Sequence, residues 1–131
     1  MALILDTSVL IDIERKRKAT IMKIKEIYKS HITPPKITFI SYFEFYEGLI
    51  EKNVKNRNAL MLFINKFPCL HASKITAEIL ANLKYQYEKK GIVIGLADLI
   101  IASQVIEINA TLITKDKTFE KIDDISKIII D

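Results

Sequence analysis

The sequence predicts an α/β fold in which a mainly parallel sheet carries helices on both faces, and three observations lead there. Short apolar runs of strand length recur along the chain, stretches of helical period separate them, and 131 residues with only three Gly and three Pro leave little room for linkers. Strands separated by helices return in parallel through right-handed crossovers, which place the helices on either side of the sheet. A chain of this length buries roughly two-thirds of its unfolded surface without disulfides, so a full hydrophobic core is expected.

The runs suited to buried strands are Ala2 to Leu5, Ile37 to Ile40, Thr111 to Ile113 and Ile128 to Ile130, with a weaker one at Phe67 to Leu70. Between the first two, Ile21, Ile24 and Tyr28 recur at spacings of three and four and mark a helix. Pro34-Pro35 then reads as a loop. Ala59, Phe63 and Phe67 lie near the end of a further helical stretch. Ser73 is placed to cap a helix whose face carries Ile75, Ile79, Leu83 and Tyr87, and Gly91 to end it in a left-handed conformation. Leu96 to Ile108 is apolar almost all round, which predicts a helix packed on both sides, and Asn109-Ala110 leads from it into the next strand. No internal repeat or domain boundary interrupts the pattern, so residues 1–131 read as one domain.

In an open parallel sheet, functional groups gather beyond the carboxyl ends of the strands. Asp6 ends the first strand, and Glu44 falls within the first turn of the helix expected after the second. Asp98 stands among apolar neighbours at the start of the long apolar helix, and Asp116 follows the strand Thr111 to Ile113. Four carboxylates drawn together repel one another unless cations neutralise them. Hard divalent ions such as Mg2+ and Mn2+ prefer carboxylate and water oxygens, and no His or Cys cluster argues for zinc. Two such ions can activate water and stabilise the leaving oxygen of a phosphodiester. Each acid also has a plainer reading. Asp6 and Asp116 could cap the segments that follow them, Asp98 could favour the positive end of its helix, and Ser41-Tyr42-Phe43-Glu44 matches a capping box.

The order and spacing of these segments resemble the PIN-domain family, and within it the toxin ribonucleases of VapBC toxin–antitoxin pairs. The resemblance rests on Ile4-Leu5-Asp6-Thr7-Ser8-Val9-Leu10-Ile11, on Ile40-Ser41-Tyr42-Phe43-Glu44 with Gly48 four residues beyond, on Leu96-Ala97-Asp98-Leu99-Ile100-Ile101-Ala102, and on Ala110 through Phe119. It runs almost end to end. It implies a three-layer α/β/α sandwich and cleavage of RNA by a Mg2+- or Mn2+-dependent endoribonuclease. Asp6, Glu44, Asp98 and Asp116 would be its metal-binding acids, with Ser8 and Thr114 as supporting polar residues. It also implies a homodimer and a protein antitoxin as partner. Phe45 departs from the Leu that often follows the second acid, and Glu47 stands one turn later on the same face; the glycine spacing selects Glu44.

A formal charge of +4 permits a polyanionic partner without requiring one. Arg15-Lys16-Arg17-Lys18, Lys115, Lys117 and Lys121 are candidates for a rim that tracks RNA phosphates, or equally a solvated charged corner. Tyr42, Phe43, Phe45 and Tyr46 cover more than one helical face, so some rings belong to the core and some point outward. His31 and His71 lack a second histidine at ligand spacing. Cys69 is the only cysteine, which excludes an internal disulfide and fits a reducing cytoplasm. The N-terminal apolar run is too short for a signal peptide or membrane span.

Two related enzyme classes fit poorly. A phospho-receiver needs an acid after its third strand, where this chain has Leu70-His71-Ala72. A phosphatase of the Asp-x-Asp type needs an acid where Ser8 stands. The remaining alternatives are an RNA-processing PIN nuclease that is not a toxin, and a PIN module that binds RNA without cutting it.

Overall fold

The computed structural model describes residues 2–30, 33–52 and 55–131. Its elements run β1 (Leu3–Leu5), α1 (Thr7–Glu14), α2 (Lys18–Tyr28), β2 (Ile37–Thr38), α3 (Phe39–Lys52), α4 (Arg57–Ile64), β3 (Cys69–Leu70), α5 (Lys74–Lys89), α6 (Leu96–Glu107), β4 (Thr111–Thr114), a 3-10 turn (Lys117–Lys121) and β5 (Ser126–Ile129). His31 lies outside the described residues.

Every described strand pairing is parallel. Leu3 to Leu5 align with Thr111 to Ile113, and Thr111 to Thr114 align with Ser126 to Ile129. On the other side, Ile37 and Thr38 align with Cys69 and Leu70. A parallel bridge between Ile4 and Lys36, with Leu5 N–H donating to the Lys36 carbonyl at 2.9 Å, joins the two groups into the spatial order β3-β2-β1-β4-β5.

Alternation along the strands divides the core into two layers. Leu3 and Leu5 of β1 and Ile113 of β4 pack with Val9, Leu10, Ile24, Phe45, Leu49, Leu60 and Ile64 from α1 to α4. Ile4 and Leu112 face the opposite way and pack with Leu83, Tyr87, Leu99, Ala102 and Val105 from α5 and α6. The result is the three-layer arrangement the sequence predicts. Helix α6 buries Leu99 and the continuous stretch Ile101 to Val105, as its all-round apolarity requires. Its Gln104 side chain donates to the Leu70 carbonyl at 3.4 Å and so reaches β3.

Local signals explain most element ends. Ser73 caps α5 in a reciprocal box with Thr76, and Gly91 beyond its end adopts φ +71°. Asn109 takes φ +52° after α6, a conformation that asparagine tolerates. Two expectations need correction. The second strand ends at Thr38, because the Thr38 hydroxyl accepts from the Ser41 amide at 3.1 Å and starts α3 early; Ile40 is therefore helical. Helix α4 stops at Ile64, and Phe67 lies beyond it with its ring edge-on to Phe63, 5.4 Å between centroids.

Candidate active site

The strand order reverses between β1 and β4: the chain leaves β1 toward β2 on one side and returns to β4 on the other. Such a switch point opens a crevice at the carboxyl ends of the two strands. Asp6 follows β1 there, its amide donating to the Ile113 carbonyl at 3.0 Å. Across from it, β4 ends in Thr114, followed by Lys115 and Asp116.

Asp6 is 6% exposed. It occupies the N-cap position of α1, yet its side chain makes no capping bond. Instead its carboxylate accepts from the Thr114 hydroxyl at 2.7 Å and, more weakly, from the Ser8 hydroxyl at 3.4 Å. The plain capping reading of Asp6 is thereby removed. Burial pushes its pKa up; the Thr114 hydroxyl and the Thr7 backbone pull it back, and the charges of Glu44 and Asp116 raise it further.

Glu44 lies in the second turn of α3, one turn later than expected because that helix begins at Phe39. Ser41 is buried inside the helix, so the Ser41–Glu44 capping box does not form. The Glu44 carboxylate accepts instead from the Thr7 hydroxyl at 2.7 Å, across from α3 to the start of α1. Asp98 occupies the first turn of α6. Burial, followed by the charges of Asp116, Asp6 and Glu44, lifts its carboxyl to about 6. The charges of Asp6, Glu44 and Asp116 therefore all reach Asp98, and those of Glu44 and Asp116 also reach Asp6. Asp116 combines two roles, since its side chain also accepts from the Thr118 amide at 2.9 Å and caps the 3-10 turn.

Ser8 and Thr114 both hydrogen-bond within this cluster. The Thr114 hydroxyl, fully buried, donates to the Asp6 carboxylate and accepts from the Asp116 amide at 3.0 Å, linking the side chain of one acid to the backbone of the other. Ser8 accepts from the Lys115 amide at 3.1 Å. Among the described residues, no three His, Cys, Asp or Glu side chains converge into a ready-made metal cage.

The basic candidates divide. Arg15, Lys16, Lys18 and Lys117 are exposed. Arg17 pairs with Asp12, its Nε 3.6 Å from the carboxylate, and the Lys115 ammonium lies 2.7 Å from the same group. Asp12, 5% exposed, was not among the candidates, although an isolated acid four residues after Ser8 in the apolar run Val9 to Ile13 is a readable signal. Thr7 carries no such signal in the sequence, because only the fold brings Glu44 beside it.

A family model described as PIN domain matches residues 3–125. The chain belongs to the PIN-domain family. This PIN domain is 33% identical over 103 residues to Ribonuclease VapC3 of Methanocaldococcus jannaschii, covering 79% of this chain and 97% of that protein. Among solved structures, VapBC2 from Rickettsia felis bound to a promoter DNA fragment aligns over the full length of both chains with a TM-score of 0.82 and 23% identity. VapBC-1 from nontypeable Haemophilus influenzae aligns over 98% of both with a TM-score of 0.81 and 25% identity. The PIN domain's switch-point acids thus lie on a fold shared with those complexes.

Proposed function

We propose that residues 1–131 act as one divalent-metal-dependent endoribonuclease domain, the toxin of a toxin–antitoxin pair. The observation that carries this reading is the gathering of Asp6, Glu44, Asp98 and Asp116 at the switch point, where burial first, and then the charges of Asp116, Asp6 and Glu44, lift the Asp98 carboxyl to about 6. An arrangement that raises its own ionisation cost calls for a cation. The name of the Methanocaldococcus relative, a ribonuclease matched across 97% of its length, supports RNA as substrate.

The donor set suits Mg2+ or Mn2+, because it consists of carboxylates backed by hydroxyls. Mg2+ is usually bound through one or two carboxylates with several waters retained, so an open set of acids is a fitting site. Asp6, Glu44, Asp98 and Asp116 would hold it. When bound, such a cation neutralises the acids and polarises a phosphodiester as a Lewis acid. The chain's own groups do the rest. Thr114 and Ser8 orient the Asp6 carboxylate, Thr7 orients Glu44, and a carboxylate among the four is available to accept a proton from the attacking water. The exposed side chains of Arg15, Lys16, Lys18 and Lys117 would steer the RNA backbone, with affinity falling as salt rises.

A protein antitoxin is the proposed partner, since several structural neighbours are VapBC complexes. A homodimer is proposed as well. The outer face of α3, where Phe43 is 55% and Ile50 58% exposed while Phe45 is buried in the core, supports protein contact. No helix among the described residues is long and apolar enough to cross a membrane. Half-buried Cys69, its thiol pushed up by burial, is compatible with a reducing cytoplasm.

The test is cleavage of a structured RNA mixture with Mg2+, Mn2+ or EDTA, comparing the natural protein with Asp6→Asn and Asp98→Asn. Cutting that needs both the ion and both acids is the expected result. RNA binding without cutting under either ion would instead favour a module that only binds.

A further inference from the structure

Resting on the nuclease reading, the geometry points to Asp12 as a positioning residue that holds Lys115 and so fixes the turn presenting Asp116 to the acid cluster. Ser8 and Asp12 stand four residues apart on one face of α1, and they take Lys115 by its two ends. The Lys115 amide donates to Ser8 Oγ at 3.1 Å, and its ammonium donates to Asp12 Oδ2 at 2.7 Å. Lys115 sits between Thr114, whose hydroxyl reaches Asp6, and Asp116, whose amide returns to the Thr114 hydroxyl. Gripping its backbone and its side chain together therefore limits how Asp116 can turn.

The grip is itself anchored. Thr20 of α2, 2% exposed, donates to Asp12 Oδ2 at 2.7 Å, and Arg17 approaches Oδ1. Burial alone would push the Asp12 carboxyl up, but the bonds from Lys115 and Thr20 outweigh it and hold the group below the ordinary carboxylate range. Asp12 is thus a charged, buried group with hydrogen-bond donors from α2 and from the turn after β4, and an ion pair from the segment between α1 and α2. An exposed ion pair of this kind would contribute little; a buried one with additional hydrogen bonds imposes geometry. The Lys115 ammonium, read from sequence as part of an RNA-tracking rim, is engaged inward.

The test uses the whole protein with Asp12→Asn, Lys115→Met and the two combined, measured for RNA cleavage, thermal midpoint and amide hydrogen exchange of Thr118, whose N–H donates to Asp116. Each single variant is expected to lower kcat about 10–100-fold with KM within about twofold, the range for residues that orient metal-site ligands. Combining them is expected to restore the thermal midpoint, because no buried charge is left unpaired, without restoring kcat. Recovery of kcat along with stability would overturn the inference, reducing the pair to a structural contact. A raised KM with unchanged kcat in Lys115→Met would also overturn it, assigning the ammonium to RNA. Should the natural protein cut no RNA, the nuclease reading fails, and Thr118 exchange still decides the grip: faster exchange in folded Asp12→Asn supports it, and unchanged exchange refutes it.

Discussion

Replacing Asp98 by Asn should stabilise the metal-free protein while removing its activity. Asp98 has a carboxyl at about 6 against an ordinary 3.8, the result of burial and of the charges on Asp116, Asp6 and Glu44. That difference corresponds to about 3 kcal/mol between its ionised and neutral forms. Asp98 is only partly buried, so solvent screening reduces the recoverable gain to about 1.5 kcal/mol. For a chain of this length the thermal midpoint would rise by about 5 °C. The neutral carboxyl's stabilising effect is complete below pH 3.8 and is lost as pH rises through about 6. The advantage of Asn over Asp should therefore be present at pH 7.5 in EDTA and shrink toward zero near pH 4. Saturating Mg2+ should reverse the order, since a ligand at 100 times its Kd adds about 2.7 kcal/mol to the protein that binds it. Scanning calorimetry at both pH values, with EDTA or Mg2+, measures all three effects. An Asn variant no more stable than the natural protein in EDTA at pH 7.5, or equally advantaged at pH 4, would refute the reasoning from crowded carboxylates.

Two further outcomes follow from single contacts. Thr114→Val keeps the shape of a fully buried side chain but removes the donor to Asp6 and the acceptor for the Asp116 amide; RNA cleavage should fall about 10–100-fold, and urea unfolding should show a loss of about 1–3 kcal/mol. Gly91→Ala should destabilise by about 1–2 kcal/mol in the same unfolding assay with cleavage per folded molecule unchanged, because Gly91 holds φ +71° outside the acid cluster.

Much of the fold was legible because local and long-range preferences agree. The apolar run Leu3 to Leu5 has no stable home except a buried strand, and the all-round apolarity of Leu96 to Glu107 demands neighbours on every side. Ser73 and Gly91 mark the two ends of α5 by chemistry that acts within a few residues. The failures came where a short strand met a strong helix. Ile40 is apolar enough for either, and the Thr38 hydroxyl capping Ser41 decided for the helix. The same event dismantled the Ser41–Glu44 capping box and freed Glu44 for Thr7.

The site was legible in its components. Four acids beside strand and helix ends, in a family-like order, mark the carboxylates that the fold brings within electrostatic reach of Asp98. What each supporting residue does was less accessible. Asp12 looked like one charge in an apolar helix, and Lys115 like one lysine in a basic loop; their pairing spans 103 positions of sequence. No periodicity or propensity encodes such a contact.

The sequence by itself determined the α/β alternation, the apolar elements that form the core and which four acids to propose as a site, because burial pattern and side-chain chemistry are properties of single segments. Tertiary structure alone decided that the sheet reverses between β1 and β4, that Thr114 serves Asp6 and Asp116 together, and that Lys115 turns inward to Asp12. Those relations arise only when the crossovers bring chain segments from opposite ends of the molecule to one sheet edge, where burial makes each hydrogen bond and charge pair costly to leave unmade.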